Sequence, residues 1–446
     1  MEQFKLKKPK APETMDRVLN YFIQNNDLPQ YISDVHYPTY LFWDKAQHKP
    51  HPEGMSAEEF WACIKLVRQK LLDKAISPVR DENGNYFTIT LQLLPGLAHF
   101  LHEVDMRLGG ALQSGDMDDA STRRRFVSRG IMEEAIASSQ LEGANTTRQA
   151  AKRMLREKKK PSNHSEQMIV NNHNAMLEVE ETLCKEKISV ASLKRLHAVL
   201  VQDTIVPADV GRFRRDKDKI VVADTASNIV YHTAPPETFL KEEIKRLVKY
   251  ANDDLIESRF VHPVEKAIIL HFWIGYLHPF TDGNGRLARI IFYWYLLRKR
   301  YWGFTYLPLS RIIKSSPSQY RMAFTYTEQD DNDLTYFIDY NVRKIRQAQH
   351  EFDVYFERKM RENSLMAVLA RGKYVLNDRQ IQLLRFLHKN SGASTSIKTH
   401  ALMHTVSRVT ARRDLEDLER KGFLSSQKIG RDRPFSATDK TTELFS

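Results

Sequence analysis

The stretch His278-Pro-Phe-Thr-Asp-Gly-Asn-Gly-Arg-Leu-Ala-Arg289 joins two strongly apolar runs, and the fold depends on how it connects them. The run before it, residues 264–277 (VEKAIILHFWIGYL), is apolar on every side, which is typical of a buried helix. The run after it, residues 287–298 (LARIIFYWYLLR), predicts a second helix. We therefore expect a mainly α fold in which this loop connects two core helices.

The loop has the residues of an anion site. Gly283 and Gly285 allow the backbone to approach a ligand closely, and the N–H groups that open the second helix would point at that ligand. Arg286 and Arg289 lie about one helical turn apart and add fork-shaped donors. Together these features predict a binding site for a polyphosphate.

Two further side chains give the predicted site its chemistry. Asp282 can hold the Mg²⁺ that accompanies a nucleotide, because Mg²⁺ favours one or two carboxylates together with phosphate oxygens. Histidine titrates near neutrality, so His278 can take a proton from an attacking hydroxyl. This combination indicates transfer of a phosphorus-centred group. A core histidine at a helix end is the alternative explanation for His278 taken alone.

The loop matches the signature H-x-F-x-D-G-N-G-R-x-x-R at every fixed position, and in this it resembles the Fic family. Neither a Walker phosphate loop nor the zincin motif H-E-x-x-H is present. Fic proteins typically move AMP from ATP onto a Ser, Thr or Tyr hydroxyl of another protein. The resemblance therefore implies a protein adenylyltransferase with ATP as substrate, Mg²⁺ as cofactor, His278 as base and Asp282 as metal ligand. A kinase-like branch of the family carries lysine where this chain has Gly285, which favours the adenylylating branch.

The resemblance also assigns nucleotide contacts to residues in and after the loop. They are Gly283, Asn284, Gly285, Arg286, Arg289 and Tyr320. Tyr320 lies in the segment 320–326 (YRMAFTY), where family members place an aromatic side chain near the adenine, and a core tyrosine is the alternative there.

Residues 126–142 (FVSRGIMEEAIASSQLE) predict a helix that ends at Glu142, with Gly143 following it. An acid at a helix C-terminus costs roughly 0.3–1 kcal/mol because the helix dipole is negative there, so Glu142 should have a cation nearby. A solvated glutamate at a frayed end is the alternative. The segment 138–143 (SSQLEG) resembles the inhibitory motif [ST]-x-x-x-E-[GN] of Fic proteins, which implies that Glu142 pairs with Arg289 and restrains the enzyme.

Residues 219–223 and 229–232 are rich in β-branched residues and predict a hairpin. Beside a helical core this hairpin would keep an edge open, to which a target segment could add as a strand. The resemblance implies a β-hairpin flap at this place, preceded by the segment Gly211-Arg-Phe-Arg214, which fits the family's G-x-x-R. His164, His173 and His197 have no metal-ligand spacing, and we treat them as structural.

The C-terminal part resembles a winged helix-turn-helix module. Residues 379–388 predict its first helix, 406–422 its recognition helix, and 423–424 with the basic turn 428–433 its wing. Arg408, Arg412 and Arg413 would contact DNA in a major groove, although such modules also dock proteins. A second hypothesis is therefore a DNA-binding transcriptional regulator whose Fic core senses nucleotide.

The whole sequence sets the remaining expectations. In its 446 residues we expect an N-terminal helical domain at 1–120, a Fic core at 121–360 and a winged-helix domain at 371–446. The net charge of +12 suits nucleotide or nucleic acid, and two cysteines without ligand spacing favour a reducing cytoplasm. No secretory signal and no membrane span are predicted. The expected partners are ATP, a target protein that can be the chain itself, and DNA, with a homodimer left open.

Overall fold

The structure is a computed structural model, and it describes residues 1–446 except 13–14, 25, 73, 110–119, 225, 256–258, 391, 428–432 and 446. It is mainly helical, as the sequence predicts. The described α-helices are α1 (Met15–Gln24), α2 (Leu28–His36), α3 (Trp43–Ala46), α4 (Ala57–Leu66), α5 (Leu97–Leu108), α6 (Ala120–Leu141), α7 (Arg148–Glu157), α8 (His164–Glu181), α9 (Val190–Leu200), α10 (Glu237–Ala251), α11 (Pro263–Leu277), α12 (Asn284–Arg298), α13 (Leu309–Lys314), α14 (Pro317–Gln329), α15 (Thr335–Lys373), α16 (Asp378–Lys389), α17 (Ile397–His404), α18 (Arg408–Arg420) and α19 (Asp439–Phe445).

Three small sheets accompany these helices within the described ranges. The strands are β1 (Glu2–Gln3), β2 (Ala75–Arg80), β3 (Tyr86–Ile89), β4 (Val221–Asp224), β5 (Ile229–Thr233), β6 (Ser394–Thr395), β7 (Leu424–Ser426) and β8 (Phe435–Ala437). Their orders are β1-β5-β4, β2-β3 and β6-β8-β7. All pairs are antiparallel except β1 with β5.

The chain divides into two compact units. The first contains residues 1–116, 129–146 and 162–348, and the second contains 117–128, 147–161 and 349–446. The loop 278–289 and the predicted flap both lie in the first unit.

The core of the first unit is the antiparallel helix pair α11 and α12, which is buried over almost its whole length. Helix α11 begins at Pro263, where the ring nitrogen Nδ1 of His262 accepts from the N–H of Val264 at 3.1 Å. Helix α12 begins at Asn284, three residues before the predicted start. Gly283 is its N-cap with φ 78°, a conformation that costs glycine little. The first turn of α12 therefore includes Gly285 and Arg286.

The region before residue 109 contains a hairpin and a helix. The Asn- and Gly-rich residues 81–85 form the turn of the hairpin between β2 and β3. Helix α5 begins at Leu97, because Gly96 has φ 77° and is therefore outside helical geometry.

The predicted hairpin is present as β4 and β5, paired from Val221–Thr233 to Asp224–Ile229. One of its edges is closed by the chain itself, since Glu2 and Gln3 pair in parallel with Ile229 and Val230. Within the described residues, β4 has no strand on its other side, so the open edge expected from the sequence lies there.

In the second unit, helices α16, α17 and α18 surround a small core that includes Leu384, Leu415 and Phe423. Strands β7 and β8 follow α18 and pair through Ser425 and Ser436. Of the predicted basic turn, residues 428–432 lie outside the described part of the chain. In the part of the chain that the structure describes, no helix combines the length and apolar character needed to cross a membrane.

Candidate active site

His278 stands at the end of α11 with φ 44°, so its backbone turns sharply out of the helix. Its ring nitrogen Nδ1 lies 2.5 Å from the carbonyl oxygen of Gly275. A carbonyl oxygen only accepts, so Nδ1 must carry the proton. The lone pair of the neutral ring is therefore on Nε2, which is the form that a general base needs.

The pKa of His278 is lowered to about 4, chiefly by burial and next by the charge of the nearby His232, while the hydrogen bond to the carbonyl of Gly275 acts in the opposite direction. This corrects the expectation of titration near neutrality. The physical reason is that burial disfavours the charged imidazolium. His278 is consequently neutral at physiological pH.

The side chain of Asn284 holds the loop together by hydrogen bonds to its backbone. Its side-chain oxygen accepts from the N–H of Phe280 at 2.9 Å, and its amide nitrogen donates to the carbonyl of Phe280 at 2.8 Å. The side chain is thus used within the protein, so only the backbone of Asn284 is left for the predicted nucleotide contact.

Arg286 and Arg289 are both buried, at 0% and 3% exposure. Arg286 donates to the carbonyl of Leu200 at 2.9 Å and pairs with Asp282 at 3.3 Å. Within the described residues, Nε of Arg286 and Nη1 of Arg289 are buried without a hydrogen-bond partner. Buried donors without acceptors are costly, so these two nitrogens indicate a place for an anion.

The carboxylate of Glu142 occupies part of this place. Its Oε1 lies 2.8 Å from Nη2 of Arg289, as the resemblance implied. A Cβ added at Gly285 would lie only 2.2 Å from the same oxygen, so the carboxylate covers the first turn of α12. A negative group at a helix N-terminus is stabilised by the N–H groups and the dipole there.

The part of helix α6 that belongs to the first unit, residues 129–141, packs closely on the rest of that unit. A Cβ at Gly130 would lie 1.9 Å from the carbonyl oxygen of Thr305, so the two backbones are in close contact. The buried carboxylate of Glu134 accepts from the N–H of Ser310 and the hydroxyl of Tyr293, both at 2.9 Å. Burial raises the pKa of Glu134 despite these donors.

Ser138, four residues before Glu142, also contacts the signature arginine. Arg289 donates through Nε to its hydroxyl at 2.8 Å and through Nη2 to its carbonyl at 3.0 Å. The segment 138–143 therefore contacts Arg289 by two residues, not by Glu142 alone.

Tyr320 lies in α14, and its hydroxyl lies 2.7 Å from Nε2 of His271. Burial raises the pKa of Tyr320 to about 12, with Arg289 and Glu142 acting in opposite directions. The structure thus brings Tyr320 to the arginine side of the site, and its predicted adenine contact stays a prediction. Arg408, Arg412 and Arg413 belong to the other unit, where all are exposed on α18.

Arg214 is a site residue for which the sequence offered only the G-x-x-R pattern. Its Nε donates to the carbonyl of His278 at 2.7 Å, and its Nη2 donates to those of Leu277 at 3.0 Å and Pro235 at 2.5 Å. One side chain therefore ties the end of α11 to the end of the flap.

His232 on β5 carried no sequence signal. Its Nδ1 lies 2.7 Å from a carboxylate oxygen of Glu328, and its Nε2 lies 2.8 Å from the carbonyl of Tyr276. Its ring centroid is 5.8 Å from that of His278. Two acceptors facing one imidazole favour the doubly protonated ring. Glu328 accordingly helps to hold the pKa of buried His232 above its ordinary value, against the desolvation that lowers it.

Asp282 fits the predicted role in metal binding as a partial ligand. Its side chain is about half exposed, at 51%. In the described part of the chain, no group of three or more His, Cys, Asp or Glu side chains could hold a metal ion. Mg²⁺ commonly takes one or two carboxylates and completes its shell with phosphate oxygens and water, so Asp282 suits a metal that arrives with a nucleotide.

The fold and the site define a helical domain with an anion cradle at a buried helix N-terminus. Residues 187–296 match the sequence profile of the Fic/DOC family. The match includes α11, α12 as far as Leu296, the hairpin β4–β5 and the loop 278–289.

Curated relatives match over the same region. The protein adenylyltransferase Fic of Nematostella vectensis is 28% identical over 138 residues, which are 28% of this chain and 29% of the relative. The protein adenylyltransferase fic-1 of Caenorhabditis elegans is 28% identical over 106 residues, 24% of this chain and 18% of the relative. The chain thus spans less than a third of the length of these relatives.

Among solved structures, a Fic family protein from Desulfovibrio desulfuricans aligns with a TM-score of 0.48 and 18% identity, covering 77% of this chain and 95% of that one. Fic-1 of C. elegans aligns with a TM-score of 0.47 and 17% identity, covering 79% and 90% of the two chains.

Proposed function

We propose that the chain is a protein adenylyltransferase of the Fic type, which transfers AMP from ATP to a Ser, Thr or Tyr hydroxyl of a target protein. The observation that carries this proposal is the pairing of a neutral His278 with a cradle in which two buried arginine nitrogens have no acceptor among the described residues. The names of the curated relatives support the same reaction class.

In the proposed reaction, the target hydroxyl attacks the α-phosphorus of ATP. A bond forms between that oxygen and phosphorus, the bond from the α-phosphorus to the bridging oxygen breaks, and pyrophosphate leaves. The hydroxyl proton moves to Nε2 of His278. Arg286, Arg289 and the N–H groups that open α12 hold the phosphates, and Asp282 would hold Mg²⁺, which neutralises phosphate charge when bound.

The proposed acceptor site is the flap. Strand β4 has an edge without a strand partner among the described residues, and an extended segment of a target can add to such an edge. The acceptor can be another protein or a second copy of this chain.

Glu142 is proposed to restrain this activity. With its carboxylate on Arg289 and over Gly285, a polyphosphate cannot use the same donors in the same way. Nucleotide could still bind through the remaining donors, but with its phosphates displaced. A misplacement of about 1 Å can lower a rate on the order of 10²-fold, enough for an off-state.

The test is AMP incorporation by the purified chain from labelled ATP, in a Glu142→Gly background. His278→Ala should lower transfer by about 10²–10⁴-fold, the usual contribution of a general base, while ATP affinity stays within a few-fold. His99→Ala is the matched control, because the side chain of His99 is 74% exposed. Unchanged transfer by a folded His278→Ala variant would remove His278 from the mechanism.

A second candidate function is that of a DNA-binding regulator whose Fic core senses nucleotide. It is supported by α16, α17 and α18 followed by the β7–β8 pair, the order of a winged helix-turn-helix module, and by exposed Arg408, Arg412 and Arg413. A sensor does not need a base, so AMP transfer with and without duplex DNA distinguishes the two candidates.

A further inference from the structure

His197 contacts the signature loop although it belongs to α9, 81 residues before His278 in the chain. Its side chain is fully buried, and its ring stacks on that of Phe280 with centroids 3.7 Å apart and planes within 4°. Its Nε2 lies 3.0 Å from the carbonyl oxygen of Asp282, and the N–H of Gly211 points at its Nδ1 from 3.1 Å.

These contacts determine the tautomer of the ring. A backbone N–H only donates, so Nδ1 of His197 must accept from Gly211. A carbonyl oxygen only accepts, so Nε2 must carry the proton and donate to Asp282. Both ring nitrogens are thereby bonded to backbone groups in one neutral form, and the stacked Phe280 fixes the plane of the ring.

The bond to Asp282 acts where the cradle begins. The carbonyl group of Asp282 belongs to the peptide that leads into Gly283, the N-cap of α12. A Cβ at Gly283 would lie 2.9 Å from Val201 and 3.6 Å from the His197 ring, so this backbone packs directly on the end of α9. The orientation of that peptide sets where the Asp282 carboxylate and the first N–H groups of α12 point.

The bond to Gly211 connects the Asp282 end of the loop with the His278 end. Three residues after Gly211, in the same segment, the N–H of Arg214 donates to the carbonyl of Pro279 at 2.9 Å, and its side chain donates to the carbonyl of His278. Arg214 thus fixes the part of the loop that carries the base, and His197 fixes the part that carries the carboxylate.

We propose that His197 is a positioning residue for the reaction, which holds the Asp282 peptide and the opening turn of α12 in register with His278. His197 touches neither the nucleotide phosphates nor the target in this role. The inference rests on the proposed adenylyl transfer, and it adds a residue outside the signature to the machinery of that site.

Three substitutions distinguish the hydrogen bonds of His197 from the packing of its ring. His197→Phe keeps a ring that can stack on Phe280 but removes both hydrogen bonds. His197→Gln can place an amide N–H near the position of Nε2 and keep the donor to Asp282. His197→Asn reaches only the position of Nδ1 and keeps the partner of Gly211. If His197 is needed only for packing, His197→Phe should have the highest AMP transfer of the three variants. If it is a positioning residue, His197→Gln should have higher transfer than both His197→Phe and His197→Asn.

The experiment uses the full chain in the Glu142→Gly background. We expect His197→Phe to lower kcat by about 10–100-fold, since partners of metal ligands typically contribute in that range. The Mg²⁺ concentration for half-maximal transfer should rise, whereas KM for ATP should change by less than about threefold. His197→Gln should recover a tenfold or larger part of the loss. Calorimetry of ATP binding should show a smaller gain in affinity from Mg²⁺ in His197→Phe than in the parent.

The outcomes separate the two proposals. If Glu142→Gly itself transfers no AMP, the proposed function fails, and the calorimetric gain from Mg²⁺ alone decides the role of His197. If transfer is present and His197→Phe keeps the parent's kcat and Mg²⁺ dependence, the positioning role is wrong. If His197→Phe does not fold, the comparison of Gln with Asn decides, and an Asn variant equal to or better than Gln overturns the proposal.

Discussion

One carboxylate oxygen of Glu142 lies 2.8 Å from Nη2 of Arg289, yet the two partners differ in exposure, at 31% for the glutamate side chain and 3% for the arginine. Because the side chain of Glu142 is partly exposed, water can solvate its carboxylate if it leaves the pair. A buried guanidinium, in contrast, needs an anion beside it. The difference in exposure supports a carboxylate that a phosphate can replace beside Arg289.

The first prediction follows from this replacement. Glu142→Gly should raise AMP incorporation, by on the order of 10²-fold if the inhibited nucleotide is misplaced by about 1 Å. The matched control is Glu186→Gly. Glu186 is an exposed glutamate away from the site, and its carboxylate lies 3.4 Å from a guanidinium nitrogen of Arg195. Labelled-ATP incorporation, including self-modification, measures the effect. Equal incorporation by wild type and a folded Glu142→Gly variant would end the autoinhibition hypothesis.

Gly285 and Glu142 should be energetically coupled. In Gly285→Ala the new methyl group would meet Oε1 of Glu142 at 2.2 Å, so the carboxylate must leave Arg289. We expect a coupling of about 0.5–3 kcal/mol in a double-mutant cycle of ATP affinity, because residues in contact are usually not additive. Calorimetric titration of wild type, Gly285→Ala, Glu142→Gly and the double variant with ATP gives this coupling energy. Additive effects would mean that the carboxylate does not stand over Gly285 in solution.

Gly130→Ala tests how α6 is attached. Alanine normally stabilises a helix relative to glycine by roughly 0.5–1 kcal/mol. Here a Cβ would lie 1.9 Å from the carbonyl of Thr305, and overpacking of this kind costs about 1–3 kcal/mol. We therefore expect a lower melting temperature, measured by calorimetry. A rise in melting temperature would show that the two backbones are further apart than described.

The sequence predicted the parts of this fold that depend on local patterns. Strong apolar runs located α11 and α12, and β-branched runs separated by turn residues located the flap. His197 and His232 could not be found in this way, because each is a single histidine whose partners are distant in sequence and include backbone carbonyls. The pKa of His278 was equally out of reach, since it depends on burial and on a neighbouring strand.

The C-terminal arginines give a salt-dependent prediction. If α18 binds duplex DNA, affinity should fall steeply with salt as counterions are released, and removing Arg412 or Arg413 should each reduce the slope by roughly one. Arg420 is the matched control, because it lies at the far end of α18 with a side chain that is 77% exposed. Gel retardation with the full chain measures the slope. No retardation of duplex fragments at low salt would favour protein docking by this unit.

The last prediction concerns the pH dependence of transfer. If His278 is the base, as proposed, it acts only when neutral, so activity should fall as pH drops through its pKa of about 4 and should be constant above that limb. His232 contributes to this low value, because its imidazolium lies 5.8 Å from the His278 ring. At an effective dielectric constant of about 20, two unit charges at that distance repel by about 3 kcal/mol, equivalent to roughly two pKa units. Removing the charge with His232→Gln should raise the pKa of His278 and move the acid limb to higher pH by on the order of one to two units.

Glu328→Gln provides the second arm of this experiment. Glu328 favours the charged form of His232, whereas the adjacent Arg214 disfavours it. Without the carboxylate, the pKa of His232 should fall and its charge should be lost over more of the pH range. The acid limb should then move in the same direction as in His232→Gln, although the imidazole is still present. Profiles of kcat/KM against pH in the Glu142→Gly background measure both shifts. An acid limb that stays at the parent's position in both variants would show that the charge on His232 does not control the base.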